Sequence, residues 1–183
     1  GSYTSYMDYV AIATTGNATT FGTWNGDAKF MQASTQSDQG RGMISGGFPR
    51  TQQIRYITIS TLGNSSAFGS LPVTTWRQAG ASNGSRAIWA GGLFGTSNTQ
   101  YQTIVYNTMS TLGNAATFGS LVAAAEQHSA TDNGSRGAIT GGLRANNIRA
   151  QTMQYVTIST TGNASAFANL TKKRASHDAT SGN

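Results

Sequence analysis

The chain has 183 residues, a net charge of +6 and no cysteine, which excludes a disulfide framework and any thiolate metal site. Only 10% of its residues are charged, against roughly 25% in an ordinary domain. Gly, Ser, Thr and Asn are weak helix formers, and their abundance fits many short strands joined by tight turns.

Residues 3–14, YTSYMDYVAIAT, read as a strand rich in Tyr and Val. Thr15-Gly16-Asn17 follows as a tight turn, and a short strand around Thr19–Gly22 carries Phe21. Trp24–Asp27 is a predicted loop and residues 30–38 a polar strand. Arg41–Gly47 reads as a buried strand closed by paired glycine, and Phe48-Pro49-Arg50 as a loop. The layout returns from Tyr56 to Gly92 and from Tyr106 to Gly142, and a fourth copy from Tyr155 stops before any glycine pair. Tyr9, Tyr56, Tyr106 and Tyr155 lie 47, 50 and 49 residues apart, which is the signature of a repeat array.

Each repeat predicts four strands. Strand a is polar and ends near Asp38, Asn83, Asn133 and Gly182; strand b runs from Arg41, Arg86 or Arg136 to a glycine pair. Strand c holds the repeated tyrosine, and strand d holds Phe21, Phe68, Phe118 or Phe167. Four short strands in about 50 residues is the pattern of a propeller blade. The predicted division is a partial blade over 1–28, blades at about 29–72, 73–122 and 123–171, and a partial blade over 172–183. The set is one strand b short of four complete blades, so either the array continues in a longer chain or a neighbour supplies that strand; the first is favoured.

The glycine pair closing strand b, the aromatic strand after it and the period resemble the kelch repeat. The wording YITISTLGNSSAFGSL followed by SNGSRAIWAGG is similar to the kelch-like arrays of virion structural proteins in tailed, especially marine, bacteriophages. The resemblance implies an all-β, kelch-like β-propeller or part of one, and a non-enzymatic tail-fibre or adhesion role in a virion or extracellular setting. Implied partners are other virion proteins, further blades of the same chain or a second copy, and host-surface glycans. The tryptophan expected in strand d of the fuller kelch pattern is Phe here.

Strands of alternating direction put the a–b and c–d turns on one face. The c–d turns repeat as TTGN, TLGN, TLGN and TTGN, with Gly16-Asn17, Gly63-Asn64, Gly113-Asn114 and Gly162-Asn163. Their uniformity is ascribed to the positive φ that tight turns need. The opposite face carries variable loops: Phe48–Thr51, Phe94–Asn98 and Arg144–Asn147 between strands b and c, and Trp24–Asp27, Leu71–Thr74, Val122–Ala125 and Thr171–Lys173 between d and a. Loops held on a rigid scaffold are where ligands bind, so Trp24, Arg50, Phe94, Arg144, Asn146, Lys172 and Lys173 are the candidate ligand residues.

Arg41, Arg86 and Arg136 are expected to pair locally with turn carbonyls or with Asp38 or Asp132. His128 and His177 are equivalent positions, but Gln78 at the third makes a metal site unlikely to assemble, and no metal or cofactor is expected. The six carboxylates form no pair placed for acid–base work, and no serine sits in a nucleophile elbow. No enzyme signature emerges; a purely architectural module and a propeller-based glycan-degrading enzyme are the rival readings. The positive charge is spread without a basic stripe, so no specific nucleic-acid binding is expected. No apolar run of about 18 residues predicts membrane insertion.

Overall fold

Each repeat folds as an up-and-down run of antiparallel strands in the predicted order a, b, c, d. The structure is a computed structural model that describes residues 5–26, 35–37 and 40–180. A hairpin of β1 (Tyr6–Tyr9) and β2 (Thr19–Thr23) comes first. Sheet I contains β3 (Thr35–Ser37), β4 (Arg41–Ser45), β5 (Thr51–Thr58) and β6 (Ser66–Trp76). Sheet II contains β7 (Ala79–Ser82) and β8 (Arg86–Ala90), then β11 (Thr103–Thr108) and β12 (Ala116–Ser120); between β8 and β11 in the chain, the small hairpin β9 (Leu93–Phe94) and β10 (Thr99–Gln100) adds to the β6 edge of sheet I. Sheet III contains β13 (Ser129–Asp132), β14 (Arg136–Thr140), β17 (Thr152–Thr157) and β18 (Ser165–Asn169). A hairpin of β15 (Leu143–Arg144) and β16 (Ile148–Arg149) stands between β14 and β17. The protein is therefore all-β and antiparallel, and no closed ring forms among the described residues.

Local chemistry sets these elements. In the a–b turns, Asn83 Oδ1 accepts from the Ser85 and Arg86 N–H groups at 3.0 and 2.8 Å, and Asn133 repeats the arrangement at 3.1 and 2.9 Å. Gly84 and Gly134 follow with φ of 80° and 77°, the left-handed conformation that glycine adopts without penalty. Strand c carries a bulge two residues before the tyrosine in all four copies, at Met7/Asp8, Ile54/Arg55, Ile104/Val105 and Met153/Gln154. A bulge at one fixed place gives every sheet the same added twist.

The core lies between sheets. Met43, Ile54, Phe68 and Leu71 of sheet I pack on Ala87, Trp89, Val105 and Met109 of sheet II. Ile88, Ile104, Phe118 and Leu121 of sheet II pack in the same way on Ile139, Val156 and Ile158 of sheet III. Sheet II buries both faces, which is why β8 (RAIWA) is apolar without alternation. The a strands adjoin, with β7 touching both β3 and β13.

The seams are fastened by the c–d turns. Gly113 N–H donates to Phe68 O and Ala115 N–H to Ser70 O, at 3.0 and 2.9 Å. Asn114 Oδ1 accepts from Ser70 N–H at 3.0 Å. The same three bonds join Gly63, Asn64 and Ser65 to Phe21 and Thr23. They recur between Gly162, Asn163 and Ala164 on one side and Phe118 and Ser120 on the other. The turn of each sheet is thus a clasp on strand d of the sheet before it. Asn114→Ala removes one acceptor and leaves the Ser70 N–H without its partner; it is expected to cost about 1 kcal/mol. The loss is read as a fall in the thermal midpoint.

This refines two expectations. Positive φ is not common to the glycines of the c–d turns: Gly63 has φ of 159°, but Gly113 and Gly162 do not have positive φ. Two of the repeated arginines also reach across the seam, and a contact of Arg41 with Asp38 lies outside the described residues. Arg41 Nη1 donates to Met109 O at 2.8 Å and Arg86 Nη1 to Ser159 O at 2.8 Å, each in the following sheet. Their guanidinium groups stack on Tyr56 and Tyr106, and Arg136 stacks on Tyr155 at 4.5 Å. Each tyrosine in turn meets the phenylalanine of its own strand d edge-on, about 6 Å away.

Boundaries differ on the loop face. Leu71–Thr74 is strand, because β6 runs on through Pro72, bulging away from β5 between Ser70 and Thr75 before Thr75 pairs with Thr51 of β5 on one side and Phe94 of β9 on the other. Among the described residues 5–14 only Tyr6–Tyr9 is strand. Phe94 and Arg144 sit in two-residue strands rather than open loops, and Thr51 begins β5. Asp27 and the greater part of the 30–38 strand, Asp38 included, lie outside the described residues, as does Gly182.

Candidate functional site: the loop face at the first seam

The paired glycines build this face. Gly47 N–H donates to Thr75 O, Gly92 to Ala125 O and Gly142 to Arg174 O, so each pair grips the crossover that leads into the next sheet. A Cβ at Gly46, Gly91 or Gly141 would lie under 3 Å from that crossover's backbone, so the strand end must be bare. The gripped crossovers carry Gln78, His128 and His177. Ser45 Oγ donates to Gln78 Oε1, His128 Nε2 donates to Ala90 O at 3.0 Å, and His177 Nε2 meets Thr140 Oγ1 at 3.0 Å. Burial drives the His128 pKa down to about 4, so the ring is neutral and structural at neutral pH. Burial and Arg174 also lower that of His177. No group of metal-ligating side chains occurs among the described residues.

Between sheets I and II the loop face gathers aromatic rings and cationic groups. Phe48 meets Trp76 with ring centroids 5.0 Å apart, and the Arg77 guanidinium lies 4.0 Å from the Trp76 ring. Arg77 Nη1 pairs with Glu126 Oε2 at 2.9 Å, and Gln100 reaches the other carboxylate oxygen at 3.4 Å. Glu126 is buried, so loss of Arg77 would leave an uncompensated buried carboxylate. Phe94 packs on Tyr101 at 5.0 Å. Arg50 crosses the seam to donate to Gly95 O and Asn98 Oδ1. The Trp76 indole N–H and the Nε–H groups of Arg50 and Arg77 are buried and have no hydrogen-bond partner. Buried donors without partners are uncommon in native proteins and call for an explanation.

Arg50 and Phe94 thus belong to one cluster. Arg144 stands on the β15–β16 hairpin, where Nη2 donates to Thr152 Oγ1 at 3.1 Å, and Asn146 is exposed at its tip with φ of 59°. Lys172 and Lys173 are exposed after β18, and no described contact joins these four to Arg50. Trp24 is not a surface ligand residue: it is buried beneath Arg55 at the position that Leu71, Leu121 and Leu170 hold in later repeats. Trp76, Arg77, Tyr101 and Glu126 were absent from the sequence-based set. Their signal was the Trp-Arg dipeptide at a point where the other repeats have no tryptophan, together with aromatics confined to the b–c segments of two repeats.

No protein-family model matches this chain, and no curated protein matches it.

Proposed function

We propose that this chain is a non-enzymatic structural and adhesive repeat protein whose loop face binds a glycan at the seam between sheets I and II. The observation that carries the reading is the set of partnerless buried donors on Arg50, Trp76 and Arg77 beside the Phe48, Trp76, Phe94 and Tyr101 rings. Sugars offer apolar C–H faces that stack on aromatic rings and hydroxyls that accept from such donors. The repeated a-b-c-d order of the sheets, with a strands adjoining and strand d outermost in sheets II and III, supports a propeller-type blade array. The resemblance of the repeats to kelch-like virion proteins points to a tail-fibre or attachment role, with host-surface glycan as the ligand and other virion proteins as neighbours.

The test is binding of the purified chain to a panel of bacterial surface polysaccharides by calorimetry. Trp76→Ala is expected to weaken binding at least tenfold, about 1.4 kcal/mol. Lys172→Ala, on a different part of the surface, leaves it unchanged. Absence of binding across the panel, or binding indifferent to Trp76, defeats the reading and favours the purely architectural module. Depolymerisation of the polysaccharide favours the enzyme.

A further inference from the structure

The three internal clasps share a steric requirement that the fourth strand d does not meet. The residue after the strand-d phenylalanine is Gly22, Gly69 and Gly119 in turn, and a Cβ there would stand 2.1, 2.0 and 2.0 Å from the carbonyl oxygen of Gly63, Gly113 and Gly162. These are backbone atoms of the docked turn, so no side-chain rotation relieves the overlap. In β18 the same position is Ala168. The rest of that edge keeps the features of an acceptor. Phe167 is 52% exposed where Phe68 and Phe118 are each 3% exposed, and Arg136 is poised on Tyr155 as Arg41 and Arg86 are on their tyrosines. The opposite half of a clasp is also present. The Thr14–Asn17 turn is exposed, and Ile12 is 99% exposed where its counterparts Met109 and Ile158 are fully buried and Ile59 is 43% exposed.

We propose that Ala168 is a specificity-determining residue that shuts the β18 edge to the Thr-x-Gly-Asn turn, so that neither the chain's own Thr14–Asn17 turn nor that of a second copy docks there. Without Ala168 the two exposed halves match as the internal seams do: the Gly16 carbonyl against residue 168, Asn17 Oδ1 against the Asn169 N–H, and Ile12 against Phe167. The alanine methyl occupies the space the Gly16 carbonyl needs. A turn that meets β18 must therefore stand off, and the three seam bonds do not form together. The clasp consequently selects edges that read Phe-Gly followed by Ser or Thr and rejects Phe-Ala-Asn.

The test is amide hydrogen exchange of the full chain by NMR at millimolar concentration. The Ser70 and Ser120 N–H groups, both clasped, serve as internal references. In the wild type the Asn169 N–H exchanges fast. In Ala168→Gly it is expected to slow at least about tenfold, whether the turn comes from the same chain or a second copy. Adding Asn17→Ala to Ala168→Gly restores fast exchange, because the acceptor is gone. The proposal is overturned if the wild-type Asn169 N–H is already as protected as Ser70 and Ser120. It is equally overturned if Ala168→Gly brings no slowing, or if the slowing survives loss of the Asn17 side chain.

Discussion

Gly69→Ala and Gly119→Ala are each expected to destabilise the protein by about 3 kcal/mol, the upper range for forcing volume into a packed site. The added methyl meets the Gly113 or Gly162 carbonyl oxygen at 2.0 Å and the Gly113 or Gly162 carbonyl carbon at 2.4 Å. Relief requires the turn to lift off strand d, which breaks the three seam bonds and uncovers Phe68 or Phe118. For a chain of this length that loss lowers the thermal midpoint by roughly 10 °C. Gly113→Ala is the matched control. It also turns a glycine into alanine at the same seam, yet a Cβ there meets nothing within 4 Å, so its effect stays within about 1 kcal/mol. Equal effects at residues 69 and 113 would mean that the seam is not held by close backbone approach.

Acid is expected to weaken the fold through His128. Its pKa is about 4 in the folded state against 6.5 when unfolded, so the unfolded chain binds the proton more readily. Stability from this group is fully present above pH 6.5 and falls as pH drops toward 4, by about 1.4 kcal/mol per pH unit and about 3 kcal/mol in all. Below that the ring is protonated in both states and the slope ends. Burial is the largest cause of the shift; the hydrogen bond to Ala90 O favours the charged form but only partly offsets it, and Nδ1 faces Gly142 rather than a carboxylate. His128→Gln places at this crossover the residue that stands at the equivalent Gln78, and it should flatten the dependence between those pH values. Urea midpoints of wild type and variant at pH 7 and pH 4.5 measure it.

The period was enough to read strand order, the a–b turns and the pairing of strands c and d, since these depend on residues within one repeat. Asn83 and Gly84 act on their own turn, and their function is local. What could not be read were interactions between repeats. Asn114 looks like a turn residue in the sequence, but its side chain serves Ser70, 44 residues earlier. Arg86 looks like a partner for the carbonyls of its own turn, yet it reaches carbonyls 72 and 73 residues later. The extension of β6 past Pro72 was hidden for a different reason: a turn-forming residue stood in the bulge between the two stretches where β6 pairs with β5, just before it gains β9 on its other side. At the loop face, Arg50 and Phe94 were legible as loop residues. Their convergence with Trp76 and Glu126 depends on the crossover grip of the glycine pairs, which no spacing reveals.

Each of the first three repeats brings both halves of its fastening: an asparagine turn for the neighbour behind and a bare glycine for the neighbour ahead. A copy duplicated in tandem between sheets I and III therefore inherits a working joint on either side, and its core residues can drift while the backbone joint persists. A copy appended beyond β18 inherits no such joint until residue 168 loses its methyl group. Lengthening of this architecture by gene duplication is thus favoured in the interior and disfavoured at that edge, a bias that one carbon atom imposes.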